Sequence, residues 1–482
     1  MKGEPHRILV SAYACNPRMG SEEAVGWGWV RAIAAHHDLT VITAAFNRRD
    51  IESWAQETEE GRPPIRFVYV PSLLTHEKSL WVYRHLGPSA FLSLYTNFWQ
   101  RRAFRVARQL HREQPFGLAH NLTYVGFRVP GYLWKLGIPF VWGPIGGLEQ
   151  TRWRLLPGLG LKGLLYYSAR NFFNTCDKYL RPGVRRAMRA ADGGLIAATS
   201  GIHHEIKRLY GLDSHIISEV GLPPLTQPDP TTLSRRADGE PLRLIWIGNL
   251  LPGKALPFLL RVLPRFSEGQ GAEDRGRPRP PQVEDREDGR GRTADDPVHK
   301  VPERRGTEGQ GDGGAVTNWT LEVFGDGSEE KSWKRLAERN GLSSRIRWHG
   351  RVPREQVLQA LRSAHLLVIT SVYDLTSTVT VEALANGVPV LCPDHCGFRD
   401  AVSETCGIRF PAGNVREFEA GLPAGLRRIH DDEPFRQRLA RGALERAKAY
   451  DWDLKARQVD EIYRRVLERW KGRGGEERPV SP

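Results

Sequence analysis

The chain begins with a short apolar run, Arg7-Ile8-Leu9-Val10-Ser11-Ala12, and a turn-rich stretch follows at Asn16-Pro17-Arg18-Met19-Gly20-Ser21. From Glu22 the period changes, and Val25, Trp29, Ala32 and Ile33 share one face of a predicted helix. Leu39–Thr43, Ile65–Val70, Pro139–Trp142 and Gly194–Ala198 read as further strands. Short apolar strands alternating with longer helical segments predict βαβ units and a parallel sheet. The pattern restarts at Leu242–Gly248, a strand that runs into a glycine loop, with a helix predicted over 256–266. Trp319–Phe324, Ile346–His349, Leu366–Thr370 and Val388–Leu391 continue it as strands. The chain closes on a long amphipathic helix, Asp451–Trp470, whose apolar stripe is Ile462, Val466 and Leu467.

Two doubly wound α/β halves follow from this pattern. The first spans 1–222 and the second 241–450. The linker, 223–240, is too rich in proline for regular structure. The 451–482 segment is expected to cross back, with 451–472 packing on the first half. Glu268–Gly314 fits neither half: it contains no Leu, Ile, Met, Phe, Tyr, Trp or Cys. Such a stretch cannot bury enough apolar surface to offset its ordering entropy, so a disordered insertion is expected there.

Charge then refines the picture. The whole chain of 482 residues carries 70 basic against 56 acidic side chains, a net +14. Residues 101–210 alone hold 18 against 5, which is +13, so the excess is local. A localised basic face suits a phosphate-bearing partner: nucleic acid, an anionic membrane surface or a diphosphate. Within this region Trp153–Arg189 mixes aromatic, aliphatic and basic residues. Two readings stay open for it: an interfacial helix on an anionic membrane, or a helix pair packed on the first sheet with a solvated basic face. No run of 18 apolar residues predicts a spanning helix, and Met1–Val10 lacks the features of a signal peptide, so a cytoplasmic location is expected. Five cysteines make no disulfide framework, and Cys392, His395, Cys396 and Cys406 lack zinc-ribbon spacing, so no metal is expected.

The chemistry concentrates in Thr370–Val390. A strand ends at Thr370, a hydroxyl-rich loop follows, and a short helix starts near Thr378 with Gly387 placed to cap it. Backbone amides at such a helix start, around Ser377, Thr378 and Val379, form a ready site for a diphosphate. Glu382, one turn in, could accept from a ribose diol. Asp374, at the strand's edge, would face whatever lies beyond the phosphates.

Asp374 and Glu382, followed by small residues and Gly387-Val388-Pro389-Val390, resemble the donor signature of GT-B glycosyltransferases of family GT4, the glycosyl transferase group 1 enzymes. Gly248-Asn249 through Lys254 resembles the family's Gly-Arg-x-x-x-x-Lys loop, Gly325-Asp326-Gly327 its Gly-Asp-Gly turn, and His349-Gly350-Arg351 its strand-end turn. Pro17–Glu22, with Gly20 and Ser21, is similar to the glycine loop that faces the donor phosphates. Gly143-Pro144-Ile145-Gly146-Gly147, followed by Glu149, resembles an acceptor-side loop. The resemblance implies a GT-B fold of two Rossmann-like domains facing a central cleft. It also implies retaining, metal-independent transfer of a sugar from a nucleotide-sugar donor to a glycan or lipid-linked acceptor, in a hexosyltransferase-type reaction that needs no cofactor. In that scheme Lys254 stabilises the departing diphosphate, Asp374 holds sugar hydroxyls, and His120 meets the sugar from the opposite domain. Glu382 orients the nucleotide, Arg351 joins the donor side, and Gly146, Gly147 and Glu149 lie on the acceptor side. Asn249 replaces the usual Arg and Asp374 the usual Glu, which implies a different donor geometry or weakened activity; altered specificity is the favoured reading, since Lys254, Glu382 and both glycine loops remain. The rivals are a GT-B protein that binds nucleotide-sugar with little turnover, and a basic nucleic-acid-binding protein; the second leaves the Asp374–Glu382 pattern unexplained.

Overall fold

The structure is a computed structural model that describes residues 6–57, 65–72, 90–223, 233, 236–237, 239–267 and 317–474, with the backbone alone for 90–95. The expected insertion 268–314 and most of the linker 223–240 lie outside the described residues.

Two parallel sheets carry the fold. The first contains β1 (Arg7–Ala12), β2 (Asp38–Ala44), β3 (Ile65–Val70), β4 (Leu118–Thr123), β5 (Phe140–Ile145), β6 (Leu195–Ala197) and β7 (His215–Ile216). Their order is β3-β2-β1-β4-β5-β6-β7. The second contains β8 (Leu242–Ile247), β9 (Trp319–Phe324), β10 (Ile346–Gly350), β11 (Leu366–Val368), β12 (Val390–Pro393) and β13 (Gly407–Phe410), ordered β10-β9-β8-β11-β12-β13. In both sheets the strand order reverses beside the first strand, at β1/β4 and at β8/β11. Open α/β sheets place their ligand crevices there, outside the strands' C-terminal ends. The apolar runs form strands because both sheet faces are covered: every residue of β4 and β5 is buried. The insertion leaves and rejoins at one short base, since the Thr317 hydroxyl donates to the Phe266 carbonyl and Trp319 Nε1 donates to Ser267 Oγ at 3.0 Å.

The closing helix, Trp452–Gly472, returns to the first sheet as its apolar stripe demands. Ala456, Val459, Ile462, Tyr463 and Val466 are buried, and Asp451 caps the start by accepting from the Asp453 and Leu454 amides. Trp452 lies so close to Gly28 and Gly221 that a Cβ on either would fall 2.2 and 2.5 Å from its indole.

Helix Gly160–Leu180 does the opposite. The residues it buries are Gly163, Asn171, Asn174 and Lys178, whereas Leu161, Leu165, Phe172, Phe173 and Leu180 are more than half exposed. The three polar side chains that it buries are matched. Asn171 Nδ2 donates to the Thr151 carbonyl at 2.7 Å, and Asn171 Oδ1 accepts from the Thr151 amide at 3.1 Å. Asn174 Oδ1 accepts from Arg128 at 2.6 Å, and Lys178 Nζ donates to Glu205 at 2.7 Å. The expectation of a helix pair packed with a solvated basic face is therefore corrected in one respect: the outward face is apolar as well as basic.

Candidate functional site

The loops at the two reversal points meet. From the second sheet come the loop after β8, the Gly325–Gly327 turn after β9 and the segment Ile369–Ser377 after β11; from the first come residues 13–21 after β1 and Gly146–Gly147 after β5. Gly325, at φ +122°, packs so tightly on the loop after β8 that a Cβ would sit 2.0 Å from the Gly248 carbonyl oxygen, and a Cβ on Gly327 would sit 2.4 Å from that of Leu250. These glycines are thus required by backbone against backbone. A Cβ on Gly146 would fall 2.8 Å from Leu375, so the first-domain loop rests on the residue beside Asp374.

Lys254 ends a turn of 3₁₀ helix, Pro252–Lys254, held by Thr370 Oγ1, which donates to the Lys254 carbonyl at 2.6 Å. Its ammonium pairs with the Asp374 carboxylate, and the two side chains are 27% and 23% exposed. Asp374 Oδ1 also accepts from the Leu375 amide at 3.1 Å. The helix after this loop runs Thr378–Ala385, and its N-cap, Ser377, sits at φ +65° with no side-chain hydrogen bond to the helix. Ser21, the N-cap of helix Glu22–Ala34, sits at φ +61° and also makes none. In each domain a helix that follows one of these loops thus starts at a serine in a conformation uncommon for non-glycine residues. At the far end Gly387, at φ +68°, follows the cap as expected.

Glu382 is 5% exposed; burial raises its carboxyl above the usual range, and the Arg354 guanidinium opposes that rise. Arg354 donates to Glu382 Oε1 through Nε at 2.8 Å and Nη2 at 2.6 Å while staying largely exposed itself. Sequence reasoning missed this cation. Arg351 pairs with Asp326 at 2.9 Å on the surface.

His120 is fully buried, with neither ring nitrogen free. Nε2–H donates to the Gly143 carbonyl at 2.8 Å and Nδ1 accepts from the Tyr463 hydroxyl at 2.6 Å, and burial lowers its pKa to about 4. It clamps the closing helix to β4, and a sugar contact requires one of these bonds to open. Glu149 Oε2 accepts from Thr199 Oγ1 at 3.0 Å, so it lies at the start of helix Ser200–Tyr210.

The missed groups that tie the halves together are more local. Glu219, buried just before the linker, accepts from the Thr376 amide at 2.9 Å and from its hydroxyl at 3.1 Å. Ser218 Oγ donates to Thr376 Oγ1 at 2.9 Å, and the buried Lys455, whose pKa burial pushes down to about 7, donates to the Ser218 carbonyl at 2.8 Å. Arg170 stacks on the Tyr373 ring at 3.8 Å. Among the described residues, no group of three or more His, Cys, Asp or Glu side chains comes together to hold a metal ion.

Residues 314–446 match the family of glycosyl transferases group 1. The fold is GT-B, and the family match lies within its C-terminal domain. Among curated proteins, the D-inositol 3-phosphate glycosyltransferase of Kribbella flavida is 26% identical over 295 residues, 59% of either chain. That of a Nocardioides species is 30% identical over 127 residues, 26% of this chain and 27% of its own. The chain thus spans less than two thirds of the length of these relatives. Among solved structures, sucrose-phosphate synthase of Thermosynechococcus elongatus superposes with a TM-score of 0.60 at 13% identity, covering 96% of this chain and all of its own. HepE of Anabaena, in complex with UDP, gives 0.53 at 15% identity over 97% and 100%. Such likenesses show the GT-B fold. Among its described residues, no helix is long and apolar enough to cross a membrane.

Proposed function

We propose that this GT-B chain is a retaining, metal-independent glycosyltransferase of hexosyltransferase type. It moves a sugar from a nucleotide-diphosphate-sugar to a glycan or lipid-linked acceptor at the cytoplasmic face of a membrane, in cell-surface polysaccharide or glycolipid synthesis. One observation carries the reading: Lys254 and Asp374, 120 residues apart, meet beside the helix start at Ser377, with Glu382 one turn further on.

The chemistry follows from these groups. As the sugar–phosphate bond breaks, negative charge grows on the diphosphate oxygen. The Lys254 ammonium and the amides of the helix start supply fixed positive charge to it. To do so Lys254 exchanges part of its contact with Asp374 for phosphate, which frees a carboxylate for sugar hydroxyls. Glu382, oriented by Arg354, keeps acceptor oxygens for the ribose. The acceptor hydroxyl attacks from the face that the leaving group departs, so no protein nucleophile is needed. HepE, solved with UDP, supports a nucleotide donor for this fold. Asn249 leaves the diphosphate one cation fewer, and on this alone rests the rival of saturable donor binding with little turnover; Lys254, Glu382 and both glycine loops favour transfer.

Transfer from a panel of nucleotide-sugars, read as release of nucleoside diphosphate, tests the proposal. Lys254→Ala and Glu382→Ala are expected to abolish release. Saturable binding without release in the wild type would move the conclusion to the rival, and full activity in either variant would remove that residue from the scheme.

A further inference from the structure

We infer that the outward face of helix Gly160–Leu180 is a docking surface for an anionic lipid bilayer. Leu161, Leu165, Phe172 and Tyr179 follow one another along this helix on a single face, and Phe173 and Leu180 widen it. All six are exposed. The helix is held by its polar side, through Asn171, Asn174 and Lys178, and thus presents the stripe that a soluble helix ordinarily buries. Trp153, also exposed, extends the face at the N-terminal end.

The rim selects the partner. Along the chain, Arg154 and Lys162 lie at the N-terminal end of the stripe and Arg185, Arg186 and Arg189 on the helix Pro182–Ala190 that follows it, all exposed. The one carboxylate between 153 and 190, Asp177, is ion-paired to Arg128 and Arg181 at 2.5 and 2.6 Å. An apolar stripe bordered by cations fits an interface of acyl chains and anionic headgroups. A second copy of the chain would set these same cations against each other.

On its inner side the helix meets the cleft: a Cβ on Gly253 would clash with the Tyr167 hydroxyl, and Arg170 covers Tyr373. A bilayer on the outer side therefore lies about one helix diameter, ~10 Å, from the donor loop. The choice of a lipid-linked acceptor rests on the proposed function; the docking itself does not.

Flotation with vesicles of phosphatidylcholine, with and without phosphatidylglycerol, tests the inference. The full chain is expected to float with the anionic vesicles alone and to be released by high salt. Leu165→Glu/Phe172→Glu should stay at the bottom with an unchanged Tm. Arg185→Gln/Arg186→Gln/Arg189→Gln should bind on the order of 100-fold more weakly. A wild type that ignores both vesicles overturns the inference, as does a Leu165→Glu/Phe172→Glu variant that floats like the wild type. A wild-type dimer that this variant dissolves, seen by light scattering, overturns it too and assigns the face to a second copy. No turnover enters the readout, so an inactive protein that floats leaves this inference standing, and an active one that does not float leaves the transferase proposal standing.

Discussion

Helices Gly160–Leu180 and Trp452–Gly472 both run 21 residues and both are amphipathic, yet they sit in the fold with opposite faces inward. The closing helix buries its apolar stripe and, Lys455 apart, turns most of its charges out. The other buries two asparagines and a lysine and turns leucines and phenylalanines out. Each of those large side chains would stabilise the fold by roughly 1.5–3 kcal/mol if covered. Leaving them exposed on a helix whose buried Asn171, Asn174 and Lys178 are all hydrogen-bonded is a positive arrangement, because turning the helix over would remove the partners of these three. Apolar periodicity thus tells where a helix can pack, and the partners of its polar residues decide whether it does.

The contrast can be broken at four points. The largest effect is expected in the closing helix, where Ile462→Ala should cost about 2–5 kcal/mol in chemical denaturation; an unchanged midpoint would show the stripe to be dispensable. The pH dependence comes next, because two buried histidines meet this helix: His120 bonds to Tyr463, and the ring of His37 packs edge-on against Tyr463. His120 and His37 both have pKa values lowered to about 4 by burial, against 6.5 when exposed. Between about 4 and 6.5 the unfolded chain binds the more protons. Stability should therefore fall as pH drops through that window, by up to about 3 kcal/mol for the fully buried His120, and stay level in this respect above it. His120→Asn should remove its share of the slope, and a slope identical to that of the wild type would remove the clamp from the account. Third, Asn171→Ala should cost about 1–3 kcal/mol by leaving the Thr151 backbone groups unpaired, although a polar-to-apolar change on a helix is ordinarily mild. The smallest effect is expected for Leu165→Glu, within about 0.5 kcal/mol, because nothing is lost from the core; a large loss would mean that the outward face is covered.

Much of the fold was legible because buried parallel strands are continuous apolar runs. β1, β3, β8 and β9 lie where those runs lie, and the closing helix follows its stripe. The short β13 and the helices between Val415 and Ala447 went unread, although Phe418, Leu422, Leu426 and Ile429 carry a helical stripe in the first of these helices. In the cleft, Asp374 and Glu382 stand out in the sequence by their places around a helix start, and Lys254 by the resemblance of its loop to that of GT4 enzymes. Their electrostatic partners do not: Arg354 lies 28 residues from Glu382, and Lys254 lies 120 from Asp374, distances at which only the tertiary fold sets proximity. His120 was visible as a residue but not as a clamp, for its two partners come from β5 and from a helix 343 positions away. For helix Gly160–Leu180 the composition was plain and the orientation hidden, because it depends on Thr151, Arg128 and Glu205.

The central claim is that the cleft between the two sheets binds a nucleotide-sugar through Lys254 and Glu382. Calorimetric titration of the purified full chain with a panel of nucleotide-sugars tests it most directly. The account predicts saturable binding of at least one of them, lost in both Lys254→Ala and Glu382→Ala while the fold is retained. Heatless titrations across the whole panel, or undiminished affinity in both variants, would contradict it.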